Sequence, residues 1–367
     1  MKASRVVALL HELSTTGAPR LTLDILEAVY AEASVRIVSW EGGPLFDVAR
    51  RIGPTSVLQH AHLVRGWAGV SRRIRAAEQA VRLGRWNPEL VYVSSVLALP
   101  LVRMLRLRNA PVVLHVHELG SALEWFERSH PGLILSIPDR YVAVSPAVAH
   151  DLVRMGVPLE AVSVVPPYVL ASVPEVLPAS TRGDQPMLVV GGAGNPSWTK
   201  GIDVWLLAAR EAVDRMGVDR LRFVWLGWRD NQEGLQFRTM VSRLGLDAVV
   251  ELVPETDRPY DQFARFDIFA MTSWEESASL VVLEAMALAI PVICFAPTGG
   301  PAEEVGEAGV VIPAISPHGM ADAIVDLAQS AQKRRVIGSA GAERVREHFS
   351  REKSLAKLTR VFDAALA

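Results

Sequence analysis

Short β-branched runs alternate with helical patterns from end to end of this 367-residue chain, and that alternation limits its fold more than any other feature. Strands are predicted over Arg5–Leu10, Val35–Trp40, Leu90–Val93, Val112–Val116, Tyr141–Val144 and Val162–Val165, with helical patterns such as Thr22–Ala33 and Ala147–Met155 between them. Strands that are apolar throughout belong to parallel sheets covered by helices on both faces. The pattern breaks at Pro166-Pro167 and again across the proline-punctuated stretch Pro174–Pro186. It restarts at Met187–Val190 and continues through Arg222–Leu226, Val249–Leu252, Ile268–Met271, Pro291–Phe295 and Val310–Ile312, before a helical end over Glu352–Leu366. The fold class predicted is α/β, with two Rossmann-like, doubly wound domains in tandem. The expected boundaries are a first domain over 1–170, a linker over 171–186 and a second domain over 187–345. Residues 346–367 are expected to pack back on the first domain. Ligands of such sheets sit beyond the carboxyl ends of the strands, so the expected site is a cleft between the domains.

Length agrees with two domains, because a single core stops growing near ~250–300 residues. The lone cysteine, Cys294, excludes an intramolecular disulfide framework and suits a reducing cytosol. The longest apolar run, Ala285–Ala296, falls short of the ~18 residues needed to span a bilayer. His11 and Glu12 follow a short apolar run that does not make a signal-peptide core. The expectation is a cytoplasmic protein, with the inner face of the membrane as the alternative setting.

The formal charge of −2 conceals an asymmetry: residues 1–170 carry 18 Lys/Arg against 14 Asp/Glu, and the remainder 20 against 26. The positive excess lies mostly in Arg65, Arg72, Arg73, Arg75, Arg82, Arg85, Arg103, Arg106 and Arg108. A solvated helix face accounts for it, and the functional alternative is a surface for an anionic acceptor or peripheral contact with an anionic leaflet. No motif accompanies it that would indicate nucleic acid.

The most informative segment reads TSWEESASLVVLEAMA, Thr272–Ala287. Glu276 and Glu284 stand eight residues apart across a strand-to-helix junction, and the small residues Ser277-Ala278-Ser279 precede a helix start at Leu280. Free amides and the dipole at a helix N-terminus attract an anion, and small side chains let a phosphate approach. Equally, acidic residues simply enrich helix N-termini. The two glutamates, the strand Pro291-Val292-Ile293 and the loop Thr298-Gly299-Gly300-Pro301 together resemble the family 4 retaining glycosyltransferases of the GT-B fold. The family's usual glycine, aromatic, glycine between the glutamates is replaced here by Ser277, Ala278 and Ser279. The resemblance implies that Glu284 binds a nucleotide ribose and Glu276 contacts donor-sugar hydroxyls. Amides near Ser279 and Leu280 would hold the distal phosphate, with Gly299 and Gly300 also at the donor site.

Lys200-Gly201 opens a helix after the glycine-rich VVGGAGNPSWTKG, where a lysine can meet a diphosphate. The resemblance gives Lys200 that role, without the arginine the family often adds a few residues earlier. A dinucleotide fingerprint fails because Ser197 stands where the third glycine belongs, and a P-loop fails because glycine follows Lys200. In the first domain, Arg5–Leu10 runs into HELSTTGAPR, where Gly17 and Ala18 are expected in a turn that faces the phosphate site, beside Arg20. His115-Val116-His117-Glu118 ends another strand. The resemblance assigns a donor-sugar contact there, and His117 suits it better because Glu118 follows. A metal site built from His115, His117 and Glu118 lacks ligand spacing. Ser145 is read as a helix N-cap. Trp67, Trp125 and Phe126 are either ring-stacking or core residues.

No Asp-x-Asp and no G-x-S-x-G occur, which excludes a chelating glycosyltransferase site of the other main fold and a serine-hydrolase elbow. The expected function is a metal-independent, retaining transfer from a nucleotide diphosphate sugar, UDP- or GDP-linked, to an unidentified hydroxyl on a glycan, lipid-linked or small aglycone. Lys200, Glu276 and His117 are the catalytic candidates, and no bound cofactor or metal is expected. No nucleophile is apparent, in keeping with the front-face displacement that the resemblance implies. A nucleotide-sugar epimerase of the same fold and a non-catalytic sugar-nucleotide binder are the alternatives.

Overall fold

The computed structural model describes residues 3–59, 67–170 and 187–367, with 59 and 67–74 by backbone only. The chain divides into two compact units, Met1–Leu170 with Arg351–Ala367, and Ala171–Ser350. The linker expected over 171–186 lies outside the described residues.

Unit 1 runs β1 (Arg5–Leu10), α1 (Gly17–Val29), β2 (Ser34–Glu41), α2 (Phe46–Ile52), β3 (Thr55–Gln59), α3 (Trp67–Trp86) and β4 (Leu90–Ser94). It continues through α4 (Leu99–Met104), β5 (Val112–Val116), α5 (Gly120–Ser129), α6 (Leu133–Ser136), β6 (Arg140–Ala143), α7 (Pro146–Arg154) and β7 (Val162–Val164). Its seven strands lie in the order β3-β2-β1-β4-β5-β6-β7. All pairs are parallel, with Leu10 beside Ser94, Ser94 beside His115 and Val116 beside Ala143. The strand order reverses between β1 and β4, and such a switch point leaves a crevice at the strands' carboxyl ends.

Unit 2 runs β8 (Leu188–Ala193), α8 (Ile202–Met216), β9 (Leu221–Trp228), α9 (Gln232–Arg243), β10 (Val250–Pro254), α10 (Pro259–Phe263) and β11 (Ile268–Ala270). It continues through α11 (Leu280–Ala287), β12 (Val292–Phe295), α12 (Gly300–Val305), β13 (Val310–Ile312), α13 (Pro317–Ala328) and α14 (Ala331–His348). The sheet is again parallel, in the order β10-β9-β8-β11-β12-β13.

Three differences from the sequence-based expectations have physical causes. β3 was not expected: with Thr55, Ser56 and Gln59 it is an edge strand that among the described residues pairs only with β2, so it needs no apolar run. β8 continues three residues beyond Val190 because its glycines lie against aromatic rings. A Cβ on Gly191 would stand 2.2 Å from the Phe266 ring, and one on Gly192 2.7 Å from Trp225. Finally, α1 begins at Gly17, so Gly17 and Ala18 form its first turn rather than a loop before it.

The C-terminal helix α15 (Arg351–Leu366) belongs to unit 1. The boundary expected at 345/346 falls instead at 350/351, because α14 continues to His348 and packs against α11. Leu358, Val361 and Phe362 enter the core of unit 1. The Phe362 ring centroid lies 5.5 Å from that of Tyr30 and 5.3 Å from that of Tyr92. Around this apolar seam, Arg351 Nε donates to Asp24 Oδ2 at 2.9 Å, and Tyr168 donates its hydroxyl to the same oxygen at 2.6 Å. Ser354 donates to the Pro166 carbonyl at 3.0 Å.

Phe362→Ala removes a ring that is 2% exposed and leaves a cavity. The variant should lose about 3–5 kcal/mol of unfolding free energy in a denaturant titration. Arg360→Ala, on the exposed side of α15, should change it by less than ~0.5 kcal/mol.

Candidate functional site

In unit 2 the carboxyl end of β8 passes into the loop that carries Lys200. A short turn over Trp198–Lys200 ends on Gly201, which takes φ +61 and caps α8. A Cβ on Gly201 would come within 1.9 Å of the Thr272 carbonyl oxygen, so only glycine lets this turn lie on the segment after β11. Thr272 Oγ1 donates to the Lys200 carbonyl at 3.3 Å, and the Trp274 amide donates to the Thr199 carbonyl at 2.8 Å.

These contacts bring Lys200 and Glu276 together. Lys200 Nζ lies 2.5 Å from Glu276 Oε2, which also accepts the Ser273 hydroxyl at 3.2 Å. The two side chains are 26% and 12% exposed, so the pair is largely sheltered yet within reach of a ligand.

A second segment, 298–304, clamps the residues after Glu276. The Glu276 amide donates to the Thr298 carbonyl, and the Gly300 amide to the Glu276 carbonyl, both at 2.9 Å. Gly299 and Gly300, expected in a loop, are the N-cap and first residue of α12. A Cβ on Gly300 would lie 2.3 Å from the Ser277 carbonyl oxygen, so glycine is needed here to let the segments touch. Ser279 is the N-cap of α11, and its hydroxyl accepts the Val282 amide at 3.4 Å. Leu280 follows at the first helical position, where an amide has no intrahelical acceptor. Glu284, fifth in α11, is 5% exposed.

Sequence reasoning did not single out Glu304. It is 3% exposed, and Oε1 accepts the Ser279 amide at 2.8 Å, while Oε2 is buried without a hydrogen-bond partner among the described residues. Burial holds its carboxyl well above the usual carboxylate range; the Ser279 amide opposes this, and the charges of Glu276 and Glu303 reinforce it. The available signal was an acidic pair, Glu303-Glu304, early in a helix that opens Gly300-Pro301-Ala302, which any solvated first turn also shows.

In unit 1 the ends of β4 and β5 carry a compact polar cluster. His115, 1% exposed, lies inside β5 with Nδ1 2.7 Å from the Tyr92 hydroxyl oxygen. His117 is just past the strand, its ring centroid 4.2 Å from that of His115. Burial lowers His117 to about 4, and burial with the neighbouring His117 holds His115 well below the ordinary imidazole value. Both rings are therefore neutral near pH 7.

Glu118 turns its carboxylate to the chain: it accepts the Ser95 hydroxyl, the Val96 amide at 3.2 Å and the His117 amide at 3.1 Å. Burial raises its pKa, and these donors oppose the rise. Ser95 takes φ +85 to reach this position, a strained conformation that no sequence signal announces.

Gly17 and Ala18 lie in the first turn of α1, behind the N-cap Thr16, with Arg20 in the next positions. Ser145 caps α7 by accepting the Val148 amide at 3.3 Å. Trp125 is 60% exposed, Phe126 is fully buried against His130, and the Trp67 side chain lies outside the described residues. Among the described residues no group of three His, Cys, Asp or Glu is placed to hold a metal ion. Cys294 is buried in β12, and burial pushes its thiol up to about 12.

Of the basic residues in unit 1, the side chains of Arg65, Arg72 and Arg73 lie outside the described residues. Arg75 donates to the Leu58 carbonyl at 2.7 and 3.1 Å, Arg82 pairs with Glu78, and Arg103 and Arg108 reach Ser136. No helix among the described residues is long and apolar enough to cross a membrane.

Two family models match the chain and together take in most of it. Residues 15–170 match "Glycosyltransferase Family 4" and residues 185–330 match "Glycosyl transferases group 1". Among curated proteins, the D-inositol 3-phosphate glycosyltransferase of Corynebacterium glutamicum is 30% identical over 186 residues, 49% of this chain and 44% of the relative. The alpha-galactosylglucosyldiacylglycerol synthase of Streptococcus pneumoniae is 24% identical over 51% of this chain and 54% of its own. The chain thus spans about half the length of the curated relatives it matches. Among solved structures, Anabaena Alr3699/HepE in complex with UDP and glucose superimposes with a TM-score of 0.82 at 17% identity, over 98% of this chain and 100% of that one. Sucrose-phosphate synthase from Thermosynechococcus elongatus gives 0.76 at 18% identity, over 98% of each chain. At these identities the structures establish the GT-B fold.

A carboxyl whose pKa is raised by folding binds its proton more tightly in the folded state than in the unfolded one. Its stabilising contribution is therefore full on the acid side and is lost as pH rises through the ordinary carboxyl range toward the raised folded value. Glu304→Gln keeps an acceptor for the Ser279 amide and cannot ionise. Denaturant titrations at stepped pH should show wild type losing stability relative to the variant as pH rises above about 4.5. A constant difference between the two proteins would contradict this.

Proposed function

Because the chain belongs to the family 4, group 1 glycosyltransferases, we propose that it transfers a sugar from a nucleotide diphosphate sugar to a hydroxyl of an acceptor. One observation carries the reading: Lys200 and Glu276 stand 2.5 Å apart beside the capped N-terminus of α11. The cation and the helix amides suit a diphosphate, while a neighbouring carboxylate suits sugar hydroxyls. UDP in the complex of the Anabaena structure supports a uridine donor.

In this reading the diphosphate displaces Glu276 from Lys200, so the lysine exchanges one anionic partner for another. Glu276 then orients donor hydroxyls, and Glu284 holds the ribose. Neutral His117 orients the sugar as a hydrogen-bonding group rather than as a cation. Gly17 and Ala18 leave room for phosphate at the start of α1. The anomeric C–O bond to the phosphate breaks, a C–O bond to the acceptor oxygen forms on the same face, and the acceptor proton passes to the departing phosphate oxygen. Lys200 and the Leu280 amide stabilise the charge that develops on that leaving group, so added metal is not required. The mild positive excess of unit 1 suits an anionic acceptor or an anionic leaflet.

Turnover is to be measured with UDP-, GDP-, ADP- and dTDP-sugars and candidate acceptors, with and without EDTA, and the anomer of the product read by NMR. Lys200→Ala and Glu276→Ala should each lower kcat/KM by about 10²–10³-fold, a range set by losing one charge-stabilising donor. EDTA should leave the rate unchanged, and the product anomer should match that of the donor. If both variants turned over like wild type, the assignment would be wrong. Interconversion of the donor sugar with no acceptor present would indicate an epimerase instead.

A further inference from the structure

Unit 1 holds a cavity of about 370 Å³ between β2, the start of β3 and the last turns of α3. Its polar lining is Arg36, Ser56, Gln79, Arg82 and Arg85; the rest is apolar, and among the described residues no carboxylate lines it. Arg36 is the unusual member, a half-buried cation inside β2, a strand that has β1 on one side and β3 on the other. Its guanidinium carbon lies over the Trp86 ring, 4.6 Å from the centroid. Among the described residues neither Arg36 nor Arg85 has a carboxylate partner. Arg82 pairs with Glu78 at 2.6 Å, but both side chains are exposed, and such a pair opens at little cost. Arg75 fastens α3 over β3 by donating to the Leu58 carbonyl, so strand and helix hold three guanidinium groups on one cavity.

We propose that this cavity is an anion site for a phosphomonoester or diphosphate group, built from unit 1 alone and additional to the site at Lys200 in unit 2. A cation half-buried without a counter-ion is costly, and an anion from solution removes that cost. A guanidinium over an aromatic ring still presents N–H donors at its edge, in the fork that matches phosphate oxygens. Three such groups suit a ligand carrying at least two negative charges, and the Ser56 hydroxyl and Gln79 amide add neutral donors. The volume falls within the range of ~300–1,000 Å³ usual for small-molecule sites. The cavity is also apart from the polar cluster of unit 1. Sheet register sets Arg36 level with Val91, three residues before Ser94 and two strands aside. That is about 10 Å back along the strands from the ends that carry Ser95, His115 and His117. The inference does not depend on the chain transferring a sugar.

Calorimetry tests this with pyrophosphate and glycerol 3-phosphate as probes, with UDP present throughout, on wild type, Arg36→Ala, Arg36→Lys, Arg85→Ala and Lys200→Ala. Wild type should bind at least one probe. Arg36→Ala and Arg85→Ala should each weaken that binding about tenfold, the loss expected for a hydrogen bond to a charged group. Arg85 is exposed on α3, so its removal leaves the fold intact. Arg36→Lys should recover only part of the affinity, because lysine keeps the charge and loses the fork. Lys200→Ala should bind the probe like wild type. Co-sedimentation with phosphatidylcholine vesicles, with and without phosphatidic acid, separates the two sources of such a group. Pelleting that needs phosphatidic acid and is lost in Arg36→Ala assigns the site to a lipid headgroup; probe binding without such pelleting assigns it to a free phosphate compound. No probe binding in wild type, undiminished binding in both arginine-to-alanine variants, or loss of binding in Lys200→Ala would overturn the proposal.

Discussion

The chemistry available in unit 2 depends on one ion pair, Lys200 with Glu276, joining residues 76 apart in sequence. Burying such a pair is not in itself strongly stabilising, because desolvating two charges offsets much of their attraction. Backbone contacts hold it in place instead. Gly201 lies on the Thr272 carbonyl and Gly300 lies on the Ser277 carbonyl, each closer than any side chain allows. The loops are fixed by main-chain bonds, and the charged groups are carried to each other by them. The loops that carry the pair are held by these contacts independently of it.

The carboxyl groups around this pair are separated by environment. Glu276 faces an ammonium and a hydroxyl. Glu304, reaching only the Ser279 amide from a buried position, is pushed toward its protonated form. In unit 1 a similar separation applies: Glu118 is engaged with amides, and the two histidines beside it are neutral.

The fold was legible because parallel strands buried on both faces leave continuous apolar runs, as in β1 and β5. β3 escaped because an edge strand can remain half polar, and the glycine end of β8 because close packing on Phe266 and Trp225 looks in sequence like a loop. At the candidate site, Lys200, Glu276 and Ser279 were singled out from the sequence with roles implied by the resemblance, and the structure pairs Lys200 with Glu276 and makes Ser279 a helix cap. Glu304 and the strained Ser95 were not singled out. Each acts through a neighbour distant in sequence, and residue type alone does not reveal a tertiary partner. His115 lies buried inside β5, and His117 follows just past the strand. Glu118 accepts the Ser95 hydroxyl and the Val96 and His117 amides.

The replacement of a glycine, aromatic, glycine loop by Ser277-Ala278-Ser279 has a physical consequence. In a helix start of glycines, the first amides are bare and all are open to a phosphate. Here the Ser279 hydroxyl takes the Val282 amide, and Glu304 takes the Ser279 amide. Two donors are thus satisfied from within the protein. The Leu280 amide at the first helical position has no intrahelical acceptor. The serine loop therefore gives a helix start capped from within the protein, and no arginine stands between Gly191 and Thr199 beside Lys200.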